Sequence, residues 1–235
     1  MKPPIVQSDR GVTLAGGGPF GARDLAVCLR RAPVAVAADG GADGLLRLGT
    51  MPEAVIGDFD SLSAAARAAI PVARQHVLAE QMTTDFDKAL RSIAAPFVLA
   101  LGFAGARLDH GLAAMTTLVA RADRRCILVG PQDVAFAAPS SLVLDLGPGE
   151  PLSLFPLAQV TGQSKGLEWP IGGIGFAPDG MIGTSNRVVA GRVTLSFDGP
   201  GMLVILPRRR LDAAIRALTQ APRPAAAARP TARGG

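Results

Sequence analysis

Residues 34–62 read VAVAADGGADGLLRLGTMPEAVIGDFDSL, and their order decides the fold. Val34–Ala38 is an apolar run of strand length, Ala42–Leu48 has helical spacing, and Val55-Ile56 opens a second apolar strand. Strand, helix, strand at this spacing predicts a right-handed parallel crossover. Each strand ends on acid and glycine, at Asp39-Gly40-Gly41 and at Gly57-Asp58-Phe59-Asp60. Open α/β sheets bind ligands beyond the carboxyl ends of their strands, so Asp39, Asp58 and Asp60 are expected at one crevice. On an extended tip, carboxylates two residues apart point the same way, and the Asp58/Asp60 pair therefore suits a hard cation.

Upstream, Gly11–Phe20 (GVTLAGGGPF) reads as a strand running into glycines, and Ala22–Arg31 as a helix. That turn either seats a phosphate on its N–H groups or is a bare tight turn, because Pro19 and Phe20 break the dinucleotide fingerprint. Downstream, Ser63 caps a short helix over Ala64–Ala69, a short strand covers Val72–Leu78, and Thr84 with Asp87 opens a helix to about Ile93. Thr84 and Asp85 serve either that helix cap or the acidic site. Phe97–Leu101 is another buried strand, GFAGARLDHG leads into a helix from about Leu108 to Ala122, and Cys126–Gly130 closes the alternation. The pattern predicts an α/β fold with a doubly wound, mostly parallel sheet.

After Gly130 come short β-rich runs, Val134–Ala138, Ser141–Leu146, Pro151–Phe155, Arg192–Phe197 and Met202–Leu206, divided by Gly, Pro and Asp turns. They predict a C-terminal antiparallel β-sandwich. We therefore expect an α/β domain over 1–133, a β-sandwich domain over 134–207 and an Arg/Ala/Pro-rich disordered tail over 208–235. Within that tail Leu211–Leu218 makes one helical turn or two.

A formal net charge of +5 points to nucleic acid only if it covers a face. Seven of the 24 Lys and Arg follow Pro207 against one of the 19 Asp and Glu, leaving 17 basic and 18 acidic groups in residues 1–207. A nucleic-acid reading thus rests on the tail alone. Cys28 and Cys126 sit in apolar sequence without metal-ligand spacing, as buried free thiols of a reducing compartment do. The opening MKPPIVQSDRG lacks a signal peptide's apolar core, and the longest apolar run, Ile93–Ala106, is cut by Pro96, Gly102 and Gly105. A cytoplasmic protein with no membrane segment is expected.

If Asp39, Asp58, Asp60 and Asp85 meet without a compensating Lys or Arg, they repel one another unless a divalent cation neutralises them. Magnesium takes all-oxygen sites and bridges carboxylates to phosphates, whereas two His and two scattered Cys do not make a zinc site. Phosphoryl-type transfer fits, with Arg107, Lys88 or His110 steadying developing charge. No Ser stands in a nucleophile-elbow context, so a catalytic triad has no support. The single Trp, Trp169 in GLEWPIGG, is either core or an exposed ring for stacking on a flat or cationic ligand.

The ordered series ADGGAD (Ala38–Asp43), GDFDSL (Gly57–Leu62), TDFDKAL (Thr84–Leu90), GFAGARLDH (Gly102–His110), GLEWP (Gly166–Pro170) and TSN (Thr184–Asn186) resembles thiamine pyrophosphokinase. The resemblance spans roughly residues 11–207 and lies in the number, order and spacing of the motifs. It implies an α/β domain followed by a β-sandwich, a homodimer, and transfer of the pyrophosphoryl group of ATP to the hydroxyethyl oxygen of thiamine with release of AMP. Residue by residue, it implies magnesium on Asp58, Asp60 and Asp85, with Asp39 close by. ATP would meet Gly40, Gly41, Ser61, Thr84, Lys88, Arg107, Asp109 and His110. Thiamine would meet Gln81, Trp169, Thr184, Ser185 and Asn186 at the dimer interface.

Three positions depart from the family pattern. Met82 stands where an acidic residue is usual, Gly105-Ala106 replaces a glycine pair, and Leu167-Glu168-Trp169 replaces Leu-Lys-Trp or Leu-Lys-Tyr. The competing readings are a related transferase acting on another alcohol, and a non-catalytic protein binding nucleotides or nucleic acid through the basic tail.

Overall fold

A computed structural model describes residues 3–105 and 107–222. In chain order its first part comprises β1 (Val6–Gln7), β2 (Val12–Ala15), α1 (Ala22–Leu29), β3 (Val34–Ala38), α2 (Gly41–Arg47), β4 (Ala54–Gly57) and α3 (Ala64–Ala69). There follow β5 (Gln75–Val77), α4 (Asp85–Arg91), β6 (Ile93–Ala94), β7 (Val98–Leu101), α5 (Leu108–Ala120) and β8 (Cys126–Val129). Strands β2, β3, β4, β7 and β8 are buried at every position, because α1 and α2 cover one face and α4 and α5 the other. That is why they read as unbroken apolar runs rather than as alternation.

These strands pair in parallel in the order β8-β7-β2-β3-β4-β5. The chain steps outward from β2 to β5, then returns to the other side of β2 for β7 and β8. The reversal between β2 and β7 is a topological switch point, the usual seat of a ligand in such sheets. The loops leaving these two strands touch: the Gly18 N–H donates to the Gly102 carbonyl at 2.9 Å. A Cβ on Gly18 would stand 2.5 Å from that oxygen, so the approach requires glycine.

The second part comprises β9 (Asp133–Ala137), β10 (Ser141–Asp145), β11 (Pro151–Pro156), β12 (Gly162–Lys165), β13 (Gly183–Arg187), β14 (Arg192–Phe197), β15 (Met202–Pro207) and α6 (Leu211–Gln220). Here β10, β14 and β12 form a separate antiparallel sheet. Its Leu142, Leu144, Val193 and Leu195 pack in one apolar cluster with Leu152, Leu154 and Val204 of the larger sheet. The expected sandwich is therefore present. One of its layers, however, is continuous with the parallel sheet, because β9 pairs antiparallel with β8 and the sheet runs on through β15, β11 and β13 to ten strands. The boundary expected at 133/134 thus falls inside an unbroken hydrogen-bonded sheet. Strands β12 and β13, GQSK and GTSNR, lie outside the expected set because they carry no apolar alternation.

The tail expected from residue 208 is corrected by the structure. Arg208–Arg210 makes a 3-10 turn, and α6 then runs for ten residues rather than one or two turns. Leu211, Ala214 and Leu218 form its buried stripe against β10 and β15. Arg208 pairs with Asp24 at 2.7 Å, and Arg209 and Arg210 both pair with the buried Glu150. Arg-rich and Ala-rich flanks hide this short stripe in the composition. Three of the seven arginines assigned to a nucleic-acid-binding tail are therefore engaged within the fold.

The remainder of that tail, residues 223–235, and Ala106 lie outside the described residues. Cys28 and Cys126 are buried free thiols, and burial pushes the Cys28 thiol up to about 11. Among the described residues no helix is long and apolar enough to cross a membrane.

Candidate active site

Four carboxylates converge at the carboxyl ends of β3 and β4. Asp39 follows β3, Asp58 and Asp60 follow β4, and Asp85 is the first residue of α4. One oxygen from each lies within 4.8 Å of the others. Gly57 leaves the room: a Cβ there would stand 2.9 Å from the Asp39 Cβ and 3.2 Å from Asp85 Oδ1.

Asp58 and Asp60 do not converge by the extended alternation expected of them. They sit on a turn in which Phe59 takes φ +66° and the Asp60 N–H faces Asp58 Oδ1 at 3.4 Å. Asp39 and Ser185 have φ values of +43° and +61° and, with Phe59, are the only non-glycine residues at positive φ among those described. All three fall in the segments singled out for function, where strained backbone tends to gather.

The cluster has a counter-ion after all. Lys88, with only 2% of its side chain exposed, donates to Asp58 Oδ2 at 2.7 Å and to Asp85 Oδ1 at 3.0 Å. The sequence reading supposed no compensating cation, because Asp58 and Lys88 stand 30 residues apart and meet only through the packing of α4 on β4. The lysine bond holds the Asp58 carboxyl below the usual carboxylate range. Burial works to lower Lys88, but its two carboxylate partners outweigh that and raise it.

Asp39 is 3% exposed. Its Oδ2 accepts the Ser61 N–H at 3.2 Å, while its Oδ1 is buried without a hydrogen-bond partner. Burial, and after it the neighbouring Asp60 and Asp85, push Asp39 up to about 6 against the opposing pull of the Ser61 N–H. One ammonium against four carboxylates leaves the crevice with an excess of negative charge.

Neighbouring side chains set the frame. Thr84 caps α4, accepting the Asp87 N–H at 3.3 Å, so its segment serves both the cap and, through Asp85, the cluster. Asp87 takes no part in the cluster. It is buried and accepts two bonds from Arg121, at 2.6 and 2.8 Å, joining α4 to α5. Asp43, to which the motif reading gave no role, accepts both the N–H and the hydroxyl of Ser63 and so ties α2 to the Asp58–Leu62 turn. A Cβ on Gly41 would lie 2.1 Å from the Ala15 carbonyl, and one on Gly40 would lie 3.1 Å from that of Ser61. Both glycines let α2 close on β2 and on the acidic turn. Ser61 also donates through its hydroxyl to Asp60 at 2.8 Å.

Arg107, Asp109 and His110 are exposed where α5 begins. Arg107 donates two bonds to Asp109, the shorter at 2.6 Å, and no hydrogen bond or ion pair among the described residues links this group to the four aspartates. Gln81 is exposed on the loop before α4.

Trp169 is 52% exposed, which decides against a core role for it. The buried Asn186 clamps its backbone: the Trp169 N–H donates to Asn186 Oδ1 at 3.3 Å, and Asn186 Nδ2 donates to the Trp169 carbonyl at 2.7 Å. The Arg187 guanidinium stands 5.9 Å from the indole centre and pairs with Glu168 at 3.2 Å. Thr184 and Ser185 are exposed on the same strand, β13.

Two family models match the chain: "Thiamin pyrophosphokinase, catalytic domain" over residues 25–129 and "Thiamin pyrophosphokinase, vitamin B1 binding domain" over residues 142–201. The chain belongs to the thiamin pyrophosphokinase family. As a thiamine diphosphokinase, it carries its four clustered aspartates inside the first match and the Trp169–Asn186 clamp inside the second. Solved structures share the fold. The thiamin pyrophosphokinase of Candida albicans has a TM-score of 0.71 at 15% identity, with 88% of this chain and 95% of that chain covered. That of Geobacillus thermodenitrificans has a TM-score of 0.66 at 25% identity, covering 84% and 96%. A protein from Lactobacillus plantarum has a TM-score of 0.71 at 26% identity, covering 84% and 98%. Curated protein sequences contain no match to the chain.

In a thiamine diphosphokinase built this way, Gly57→Ala drives a methyl group between Asp39 and Asp85. It is expected to lower turnover by about 10- to 100-fold through misplacement of the carboxylates, with the circular dichroism spectrum unchanged. Wild-type turnover would show that the crowding is absorbed without moving them.

Proposed function

We propose that the chain transfers the pyrophosphoryl group of ATP to the hydroxyl oxygen of thiamine, with magnesium on Asp58, Asp60 and Asp85 and AMP as the second product. One observation carries this reading: four carboxylates gathered together with a single buried ammonium that bonds two of them, a surplus of negative charge that packing does not need. The donor set fits a hard divalent cation, being all oxygen, and beside it lies a buried acceptor, Asp39 Oδ1, that lacks a partner. When bound, magnesium neutralises the phosphates of ATP.

The chain's own groups do the rest. Lys88 keeps Asp58 ionised and holds Asp58 and Asp85 in place before substrate arrives. The glycine turn after β2, with Gly40, Gly41, Ser61 and Thr84, borders the switch-point crevice in which ATP lies, and Arg107, Asp109 and His110 stand on the nucleotide side. Exposed Arg107 can exchange its Asp109 partner for phosphate oxygens in the same two-pronged geometry. In the transfer, the thiamine hydroxyl oxygen bonds to the β-phosphorus and the bond from that phosphorus to the oxygen it shares with the α-phosphorus breaks. AMP leaves with the electron pair, and a carboxylate of the cluster takes the hydroxyl proton.

Thiamine stacks on Trp169, with Gln81, Thr184 and Ser185 offering polar groups and Asn186 fixing the Trp backbone. We read residues 1–133 as the ATP and magnesium half and 134–207 as the thiamine half. Around β13, Met181, Ile182 and Val189 expose apolar surface with Trp169. Its covering in a cytoplasmic homodimer would close the thiamine site.

Trp169→Ala is expected to raise the KM for thiamine about 5- to 30-fold, the equivalent of ~1–2 kcal/mol of stacking. The effect on kcat should be smaller, and an unchanged KM would remove Trp169 from the site. The acceptor itself is tested by omission. With ATP and magnesium alone no AMP should form, and adding thiamine should start the reaction. Turnover with another alcohol that thiamine does not compete away would favour the related-transferase reading.

A further inference from the structure

A cavity of about 450 Å³ that contains none of the four aspartates lies between α1 and the turn into α6. Five arginines line it: Arg23 from α1, Arg30 and Arg31 from the turn that ends it, and Arg208 and Arg209 from the turn into α6. Asp24 is its only carboxylate, and Val27, Pro131 and Leu211 supply an apolar floor. Residues 23, 27, 30 and 31 are spaced to share one helix face, so the basic lining is a property of how α1 is oriented.

Three of the arginines are already engaged, Arg208 with Asp24, Arg31 with Asp212 and Arg209 with Glu150. The side chains of Arg23 and Arg30 make no hydrogen bond or ion pair to any described residue, and both residues are exposed. Seven residues apart on a helix, they stand ~10 Å apart along its axis, a span that a chain of two or three phosphates bridges. Neither the catalytic reading nor the packing of α1 uses them.

We propose that this groove is a second anion site that takes a small molecule bearing a di- or triphosphate. Its volume is that of a small-molecule cleft, and guanidinium groups are suited to phosphate oxygens. Nucleic acid fits less well, because the arginines gather in one concavity and residues 1–207 carry no basic excess to track a backbone. The chain's own end does not fit either, since residues 223–235 hold three Arg and no Asp or Glu.

The test is a calorimetric titration of inorganic tripolyphosphate into the full-length protein in EDTA. Without metal the catalytic crevice opposes four carboxylates to one ammonium and repels a polyanion, so binding reports the groove. The wild type is expected to bind one equivalent. Arg23→Gln/Arg30→Gln should weaken that binding at least about tenfold, two charge-assisted contacts being lost. The same variant should form thiamine diphosphate at the wild-type rate with magnesium, which also shows that it is folded. Absence of saturable binding, equal binding by the double variant, or loss of binding in Asp58→Asn instead would overturn the proposal. So would tight binding of a single-stranded oligonucleotide that tripolyphosphate does not displace.

Discussion

Asp58→Asn, Asp60→Asn and Asp85→Asn are each expected to lower formation of thiamine diphosphate by on the order of 100- to 1,000-fold or more, because each removes a carboxylate that would hold magnesium against the reacting phosphates. The same substitutions should weaken the binding of Mn2+, followed by electron paramagnetic resonance as a stand-in for magnesium. Stability separates this effect from unfolding. Asp60 bonds Ser61 and has no contact with Lys88, so Asp60→Asn relieves repulsion in an overfilled cluster and should hold or raise the thermal midpoint. Asp58→Asn and Asp85→Asn each leave Lys88 one carboxylate partner, which limits their cost. Normal turnover in all three variants would remove the cluster from the reaction.

Asp87→Ala, in the same TDFDKAL motif, should behave in the opposite way. Asp87 accepts both prongs of Arg121 across the α4–α5 contact and is buried. Removing it strands a partly buried guanidinium, and the expected loss is ~3–5 kcal/mol. For a chain of this size that amounts to a fall of roughly 10 °C or more in the thermal midpoint. Below the transition the residual folded enzyme should turn over near the wild-type rate. A stable but inactive Asp87→Ala protein would place Asp87 in the chemistry and contradict the division of labour drawn here between the two aspartates.

That division shows where sequence reading reaches and where it stops. The parallel strands were legible because burial on both faces leaves unbroken apolar runs such as VAVAA, and because strand ends carry their acids and glycines at fixed offsets. Convergence of Asp39, Asp58 and Asp60 was legible from those strand ends, whereas Asp85 opens α4 and its place beside them was only a supposition. The means of convergence was not: it depends on a left-handed Phe59 and on the bare α-carbon of Gly57, and neither leaves a periodic trace.

The role of Lys88 was hidden for a different reason, since its partner Asp58 is distant in sequence and meets it only when α4 docks. Helix α6 reads as only one turn or two within a disordered tail because its apolar stripe of Leu211, Ala214 and Leu218 is short and stands between Arg-rich and Ala-rich segments. The continuity of the sheet through β8 and β9 rests on only two residue pairs, Leu128 with Ala135 and Val129 with Val134, which no local pattern announces. The sequence around Trp169 suits either a core or an exposed ring, and its exposure and its Asn186 clamp decide for the exposed one.

The central claim is that the four carboxylates serve attack at the β-phosphorus of ATP by thiamine. Phosphorus-31 magnetic resonance of one incubation of the protein with ATP, magnesium and thiamine tests it most directly. AMP and thiamine diphosphate are expected to rise together in equal amounts. ADP rising together with thiamine monophosphate would place the attack at the γ-phosphorus and contradict it.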